Sequence, residues 1–216
     1  KFIMISLDRY DVIFWDFDGV IKESVSVKTD AYVELFNPYG IDVCKQVEKH
    51  HLANGGMSRF EKIPLYLKWA GLEQSGAEVQ NFCGKFGGIV KDKVIASAWV
   101  PGICDFLQNN KEKYIFILVS ATPQGELEEI CQKLNLDQFF MRIFGSPASK
   151  SESIKTSMLH YEVDASSCVM MGDAQADIDA AEDNGIDFIF RRHQENLKLH
   201  INTDTSIQTI ENFNEF

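Results

Sequence analysis

Short apolar runs alternate along this chain with longer segments whose apolar residues recur at helical spacing. Five of the runs are rich in β-branched and aromatic residues and are too short for helices, which predicts buried strands. The predicted strands are residues 11–15, 114–119, 142–144, 168–171 and 188–190. Residues 123–134, 150–161 and 174–184 are predicted helices, and Gly185 suits the C-cap of the last one. Such alternation indicates an α/β fold in which helices cover both faces of a parallel sheet.

The long interval between the first and second predicted strands has a different pattern. Helical spacing recurs at residues 28–36, 43–52, 58–69 and 78–96, and no convincing buried strand lies among them. We therefore interpret residues 22–97 as a helical insertion into a core formed by residues 1–21 and 98–216. Where the chain returns to the core, Pro101 suits the first turn of a helix that runs to about Asn110.

Composition and charge narrow the range of functions. The chain has 216 residues, 45% of them hydrophobic, and no apolar run approaches the roughly 20 residues that span a bilayer. Acidic residues number 32 against 21 Lys and Arg, and the resulting formal charge of −11 disfavours nucleic acid and membrane partners. The five cysteines are scattered without a CxxC pair, which disfavours a disulfide framework or a zinc site. Because the chain opens without a recognisable secretory signal, we expect a cytoplasmic protein.

The strongest local signal is the sequence WDFDGV, which places Asp16, Asp18 and Gly19 directly after the first predicted strand. In open α/β sheets, ligands bind beyond the carboxyl ends of the strands. Two carboxylates at this position, followed by a glycine that permits a sharp turn, therefore indicate a candidate active site. By itself, the motif is also compatible with a solvated Asx turn.

A second acidic motif, MGDAQAD, follows the fourth predicted strand. Asp173 lies at the tip of that strand, and Asp177 follows one helical turn later on the same side. Mg²⁺ prefers oxygen ligands, and Asp16, Asp173 and the main-chain carbonyl of Asp18 would suit it. Taken alone, the motif is equally compatible with a loop followed by an acidic helix start, where the helix dipole favours Asp.

Two further candidates follow the strands between these motifs. Ser120 ends the second predicted strand, and its hydroxyl with the exposed backbone N–H groups from Ala121 onward would form a phosphate site at a helix N-terminus. The simpler alternative is that Ser120 or Thr122 only caps the helix. Lys150 follows the third predicted strand and would neutralise a phosphate, although Lys155 is a rival for this role.

Taken together, the four motifs resemble those of the haloacid dehalogenase-like hydrolase superfamily over nearly the whole chain. The resemblance implies a Rossmann-like core in which Asp16 is the nucleophile and Asp18 the general acid and base. It also implies phosphate binding by Ser120, Ala121 and Lys150, Mg²⁺ binding by Asp16, Asp18 and Asp173, and a water molecule oriented by Asp177. Members that cleave carbon–halogen or carbon–phosphorus bonds have a non-acidic residue in place of Asp18, so its presence favours phosphate esters.

The segment GGMSR lies within the helical insertion, which in this superfamily is a mobile cap that selects the substrate. Gly56, Ser58 and Arg59 are the candidate substrate-binding residues of this cap. Ser58 is also predicted to be a helix N-cap, and Gly56 permits a tight loop. Arg59 would reach into the cleft and bind a second anionic group of the substrate, although a surface Arg is equally compatible with the sequence. The segment also resembles the cap loop of β-phosphoglucomutases, which have Lys at the position of Gly55 and an acidic residue at that of Gly172.

The leading hypothesis is a Mg²⁺-dependent phosphatase that acts on a small phosphorylated metabolite through an aspartyl-phosphate intermediate. A sugar phosphate or a phosphoglycolate-like acid would be a suitable substrate. A phosphosugar mutase is the second hypothesis. The third is a non-catalytic phosphate-binding or regulatory module, against which the four filled catalytic positions argue.

Overall fold

The computed structural model describes residues 5–199 and 207–216, and these residues form a six-stranded parallel sheet. In chain order the strands are β1 (Val12–Trp15), β2 (Ile115–Pro123), β3 (Arg142–Ser146), β4 (Cys168–Gly172), β5 (Asp187–Arg191) and β6 (Gln208–Ile210). Their order in the sheet is β3-β2-β1-β4-β5-β6. The four strands that precede the sequence motifs therefore lie side by side. The predicted α/β fold is confirmed.

Eight α-helices accompany the sheet in the described parts of the chain. They are α1 (Val25–Phe36), α2 (Ile41–Ala53), α3 (Arg59–Trp69), α4 (Gly76–Ala96), α5 (Ile103–Asn110), α6 (Gln124–Lys133), α7 (Lys150–Tyr161) and α8 (Gln175–Asn184). Gly185 ends α8 in the left-handed conformation, as the sequence predicts for its C-cap. None of the helices in these ranges is long and apolar enough to cross a membrane.

The central strands are buried on both faces because helices pack against each side of the sheet. On one face Trp15 meets Phe106 of α5 edge-on, with ring centroids 5.6 Å apart. On the other face Phe14 belongs to a cluster that includes Ile154 of α7 and Ala181 of α8. This double burial explains why β1 reads as an uninterrupted apolar run that ends abruptly at Asp16.

Helices α1–α4, which we call the helical segment, all lie between β1 and β2 in the chain. Aromatic side chains hold them together, and the rings of Tyr32 and Phe86 stack with centroids 3.9 Å apart. The chain portions that lead into and out of the helical segment run beside each other. The backbone N–H of Glu23 donates to the carbonyl of Ala98 at 2.8 Å. Entry and exit are therefore joined at the rim of the sheet.

Two predicted boundaries in the core are wrong. Strand β2 continues to Pro123 because Pro123 still pairs with Ser146 of β3 after a register shift, so α6 begins at Gln124. Pro101 precedes α5 instead of starting it, because Gly102, with a φ of +81°, is the N-cap of that helix. The short edge strand β6 was not predicted, since three residues give too little pattern.

Candidate active site

Asp16 and Asp18 lie where β1 ends. The backbone N–H of Asp16 donates to the carbonyl of Met171 on β4 at 2.9 Å, so its buried carboxylate is placed by the sheet itself. Gly19 then turns the chain with a φ of +74°. A Cβ at Gly19 would lie 2.3 Å from Oδ2 of Asp173, so only glycine permits both this turn and this close approach.

Asp177 is fully buried in the first turn of α8 and supports the loop after β4. Its Oδ2 accepts hydrogen bonds from the backbone N–H groups of Asp173 and Ala174, both at 3.1 Å. Its Oδ1 accepts from Nζ of Lys150 at 2.5 Å. A Cβ at Gly172 would lie 2.3 Å from Cβ of Asp177, so a side chain at this position would displace Asp177.

Lys150 lies between two carboxylates, with its Nζ 2.8 Å from Oδ1 of Asp16 as well as bonded to Asp177. Burial alone lowers the pKa of Lys150, but Asp16 and Asp177 more than offset it and the pKa is raised, so the ammonium stays charged. Burial raises the pKa of Asp16 to about 7, although Lys150 acts to lower it. Lys155 is exposed on α7. Of the two rival lysines, Lys150 is therefore the one at the strand ends.

The carboxylates around Lys150 form a cluster suited to a cation. One oxygen each from Asp16, Asp173 and Asp177 lies within 4.8 Å of the others. Burial raises the pKa of Asp173, and Lys150 neutralises only one of the three charges. An all-oxygen cluster with excess negative charge fits a hard divalent ion such as Mg²⁺. Because both oxygens of Asp177 already accept hydrogen bonds, Asp16 and Asp173 are the carboxylates of this cluster best able to hold it.

His193, which the sequence analysis did not single out, holds Asp173 from the side of β5. Its Nε2 lies 2.7 Å from Oδ2 of Asp173, and its Nδ1 lies 2.8 Å from Oε2 of Glu195. Burial lowers the pKa of His193, but the Asp173 and Glu195 carboxylates more than offset it and the pKa is raised. His193 follows the carboxyl end of β5, so the rule that located Asp16 and Asp173 could also have located it.

The carboxylate of Asp18 contacts residues of the helical segment and its entry. Ser24 donates its hydroxyl to Oδ1 at 2.6 Å, and the ammonium of Lys28 pairs with Oδ2. Lys28 also donates to Oγ1 of Thr122 at 2.9 Å. Burial raises the pKa of Asp18, but Lys28 and Ser24 act more strongly and the pKa is lowered. This arrangement favours the ionised form of Asp18.

Ser120 is buried within the last part of β2 and does not cap a helix. Its hydroxyl accepts a hydrogen bond from the backbone N–H of Thr122 at 3.1 Å. Helix α6 starts at Gln124 without a side-chain cap, so the interpretation of Ser120 or Thr122 as its cap is wrong. The helix N-terminus expected at Ala121 is also wrong, because the strand continues through that residue. Ala121 lines the cleft above Asp16, whereas Ser120 borders a neighbouring cleft that also reaches Lys150.

The helical segment covers one side of the cleft above Asp16, which we call the central cleft. Its lining includes Asp16, Asp18, Lys28, His51, Gly56, Arg59, Lys62, Ala121, Thr122, Lys150 and Asp173. Gly56 lies so close to α8 that a Cβ would be 2.6 Å from Cβ of Ala176. Ser58 is the N-cap of α3, as predicted, and its hydroxyl accepts from the backbone N–H of Phe60 at 3.3 Å. Ser58 borders the neighbouring cleft with Ser120.

Arg59 lines the central cleft, but its guanidinium is already bonded to another part of the chain. Its two terminal nitrogens donate to the two carboxylate oxygens of Glu126 on α6, at 2.8 and 2.6 Å. The side chain is 6% exposed and lies over the ring of Phe86. The interpretation of Arg59 as a surface residue is therefore wrong. Its binding of a substrate anion stays a prediction.

Comparisons with known proteins agree with this architecture. A model of the haloacid dehalogenase-like hydrolase family matches residues 12–190. Similar solved structures include CbbY from Rhodobacter sphaeroides in complex with phosphate, with a TM-score of 0.76, 16% identity, and 94% of this chain and 95% of that chain covered. β-Phosphoglucomutase from Clostridium difficile has a TM-score of 0.74 and 20% identity over 95% of this chain and 92% of that chain. A predicted phosphoglycolate phosphatase from Haemophilus somnus 129PT has a TM-score of 0.70 and 17% identity over 95% of both chains. No curated protein matches the sequence.

Proposed function

The chain belongs to the haloacid dehalogenase-like hydrolase family, and we propose that it is a Mg²⁺-dependent phosphatase of small phosphorylated metabolites. The observation that carries the proposal is the placement of Asp16. Its carboxylate lies at the end of the central strand, 2.8 Å from the buried ammonium of Lys150 and within the acidic cluster that includes Asp173. This arrangement supports the proposal, because a candidate nucleophile, a buried ammonium and a carboxylate cluster suited to a metal ion lie at one rim of the sheet.

In the first step, a carboxylate oxygen of Asp16 attacks phosphorus, and the bond from phosphorus to the leaving oxygen breaks. An anionic nucleophile and an anionic phosphate repel each other, so the step needs positive charge beside both. Lys150 supplies one such charge at a fixed position. A Mg²⁺ ion held by Asp16, Asp173 and the Asp18 carbonyl would supply charge neutralisation for the phosphoryl oxygens. The product of this step is an aspartyl-phosphate on Asp16.

Asp18 handles the protons of both steps in this proposal. The leaving oxygen takes a proton from Asp18, and Asp18 later accepts one from the water that hydrolyses the aspartyl-phosphate. The contact with Lys28 favours the ionised form, which suits the second step. The first step needs the protonated form, so Lys28 must leave Asp18 when a substrate anion competes for its ammonium. Lys28 thus links substrate binding to the protonation state of Asp18.

We propose further that the helical segment acts as a mobile cap, with residues 22–97 as its extent. The backbone pairing between Glu23 and Ala98 supports this, because it places both connections to the core beside each other where a hinge would lie. Gly56 and Arg59 contact the core through Ala176 and Glu126. Closure over the cleft would exclude water from the attack on phosphorus. The five free cysteines support a reducing, cytoplasmic location.

A phosphosugar mutase is the second candidate, because β-phosphoglucomutase from Clostridium difficile has a similar fold. Two positions argue for the phosphatase instead. Gly55 is exposed and has no side chain where those mutases have Lys, and any side chain at Gly172 would strike Asp177. Incubation with β-glucose 1-phosphate separates the two functions, because a phosphatase releases phosphate and a mutase yields glucose 6-phosphate.

Removal of the divalent ion is expected to stop hydrolysis. Without a cation, the carboxylates of Asp16 and Asp173 repel the phosphate dianion, so the rate should fall at least about tenfold. The measurement is phosphate release from a panel of phosphorylated metabolites after treatment with EDTA, before and after adding back Mg²⁺ or Ca²⁺. We expect Mg²⁺ to restore activity. Unchanged phosphate release in EDTA would contradict the proposed mechanism, and no release from any ester would contradict the function.

A further inference from the structure

Lys62 is a buried cation that faces the central cleft. It projects from α3, its side chain is almost completely buried at 1% exposure, and it lines the same cleft as Asp16 and Asp18. Its ammonium contacts Nδ1 of His51 at 2.9 Å and the carbonyl of Gly55 at 3.5 Å. Within the described residues it forms no ion pair with a carboxylate. A buried charge without a counter-ion is costly, so its place in a cleft wall calls for a ligand.

His51 adds an unpaired hydrogen-bonding group to the same wall. It is 3% exposed and lines the central cleft, and its Nε2 has no hydrogen-bond partner among the described residues. Because the ammonium of Lys62 is a donor, Nδ1 of His51 accepts, and the ring proton is on Nε2. Burial and Lys62 lower the pKa of His51, which keeps the ring neutral. Lys62 and His51 thus each present an N–H group that lacks an anionic acceptor.

The other cations of the helical segment at the cleft already have carboxylate partners. Arg59 forms two hydrogen bonds with Glu126, and Lys28 pairs with Asp18. Arg59 therefore fastens α3 to α6, and its positive charge is already paired with the carboxylate of Glu126. Burial, together with the nearby charge of Lys28, lowers the pKa of Lys62 to about 7. An anion beside Lys62 would raise that pKa again and satisfy both N–H groups.

We propose that Lys62 and His51 bind a second anionic group of the substrate, separate from the phosphoryl group that is transferred to Asp16. This proposal rests on the phosphatase function and narrows its substrate class. The physiological substrate then carries a carboxylate or a second phosphate on the side of the leaving group that faces α3. A monophosphate of an uncharged sugar has no second anionic group that could serve as a counter-ion for Lys62. Lys62 takes the recognition role that the sequence suggests for Arg59.

Paired esters test the proposal, because each pair differs only in the distal group. Phosphoglycolate is compared with 2-hydroxyethyl phosphate, and propane-1,3-diol bisphosphate with 3-hydroxypropyl phosphate. In the wild type we expect kcat/KM to favour the acidic member of one pair by about 10- to 100-fold, the usual effect of a hydrogen-bonded charge pair. A preference for phosphoglycolate would identify the second anionic group of the substrate as a carboxylate, and a preference for the bisphosphate would identify it as a phosphate.

Three variants connect that preference to Lys62. In Lys62→Met the ratio of acidic to neutral ester should fall to within about threefold of unity, because methionine keeps the volume but not the charge. Any loss common to both esters cancels in the ratio. Lys62→Arg, which keeps the charge, should retain part of the preference. Lys68→Met is the matched control, because Lys68 is exposed on the same helix, and its ratio should equal that of the wild type.

The outcomes separate this proposal from the function on which it rests. No preference for either acidic ester in the wild type, or an unchanged preference in Lys62→Met, would overturn the role of Lys62 while leaving the phosphatase intact. If no ester is hydrolysed, the phosphatase function fails instead. The melting temperature of the wild type and of Lys62→Met with each ester then still tests recognition. If an acidic ester raises the melting temperature of the wild type more than its neutral partner does, and Lys62→Met loses this difference, recognition by Lys62 is supported. If the acidic and neutral esters shift the melting temperature of the wild type equally, recognition is refuted.

Discussion

Replacing Asp16 with Asn is expected to lower phosphate release by at least about 10⁴-fold, the scale seen when a covalent nucleophile is removed. An amide is uncharged, and its carbonyl oxygen is a far weaker nucleophile towards phosphorus than a carboxylate oxygen. The fold should survive, because Asn keeps the size of Asp and removes one of three clustered buried carboxylates. Lys150 would keep its pairing with Asp177. Steady-state release of phosphate from an aryl phosphate, together with the melting temperature, measures both effects.

The matched control for this variant is Asp11→Asn. Asp11 directly precedes β1 and is exposed at the amino end of that strand, so the two substitutions make the same chemical change at opposite ends. Asp11→Asn should retain wild-type activity. Denaturing gels after a brief incubation with radiolabelled substrate give a second readout, since only a protein with Asp16 should carry covalent phosphate. Undiminished hydrolysis by Asp16→Asn would exclude the aspartyl-phosphate mechanism.

The positions at the strand ends could be predicted from sequence because two simple rules determine them. Buried parallel strands read as apolar runs, and ligand-binding side chains follow their carboxyl ends. Asp16, Lys150 and Asp173 obey both rules, and the structure places them in one cluster. His193 also follows the carboxyl end of a strand, but it is not part of an acidic motif like those that contain Asp16 and Asp173.

The contacts of the helical segment could not be predicted, because they depend on how one group of helices lies against the core. Arg59 has a clear local context as the first residue of a capped helix, yet its partner Glu126 is 67 positions away in the chain. Lys62 belongs to no motif that the sequence analysis identifies, and packing of the helical segment buries it. A period of 3.6 residues identifies a helix face without identifying its neighbour.

The extension of β2 to Pro123 could also not be predicted from hydrophobic pattern and residue propensity. Ser120 and Thr122 are favourable helix-cap residues, and the sequence there is typical of a helix start. The strand continues instead because pairing with β3 resumes at Pro123 after a register shift. Tertiary pairing thus overrides a local signal of cap residues. Ser120 is consequently turned toward the backbone of Thr122, while Ala121 borders the central cleft.

Replacing Lys150 with Met is expected to cause the second large loss, in both activity and stability. Without the ammonium, the charge that offsets the repulsion between Asp16 and phosphate is missing, and kcat should fall about 10²- to 10³-fold. Asp16 and Asp177 would remain buried beside each other without their counter-charge. Removal of one partner from such a buried cluster costs about 3 kcal/mol. Phosphate release and thermal unfolding at pH 7 measure the two losses.

The pH dependence of that stability loss distinguishes a charge effect from a packing effect. In the variant, the uncompensated carboxylates have raised pKa values relative to the unfolded chain, so the folded protein binds more protons and gains stability as the pH falls. The difference in melting temperature from the wild type should therefore shrink between pH 8 and pH 5. Lys155→Met, on the exposed face of the same helix, should match the wild type at every pH. A deficit that stays constant with pH would mean that Lys150 acts by packing, and full activity in Lys150→Met would remove it from the proposed mechanism.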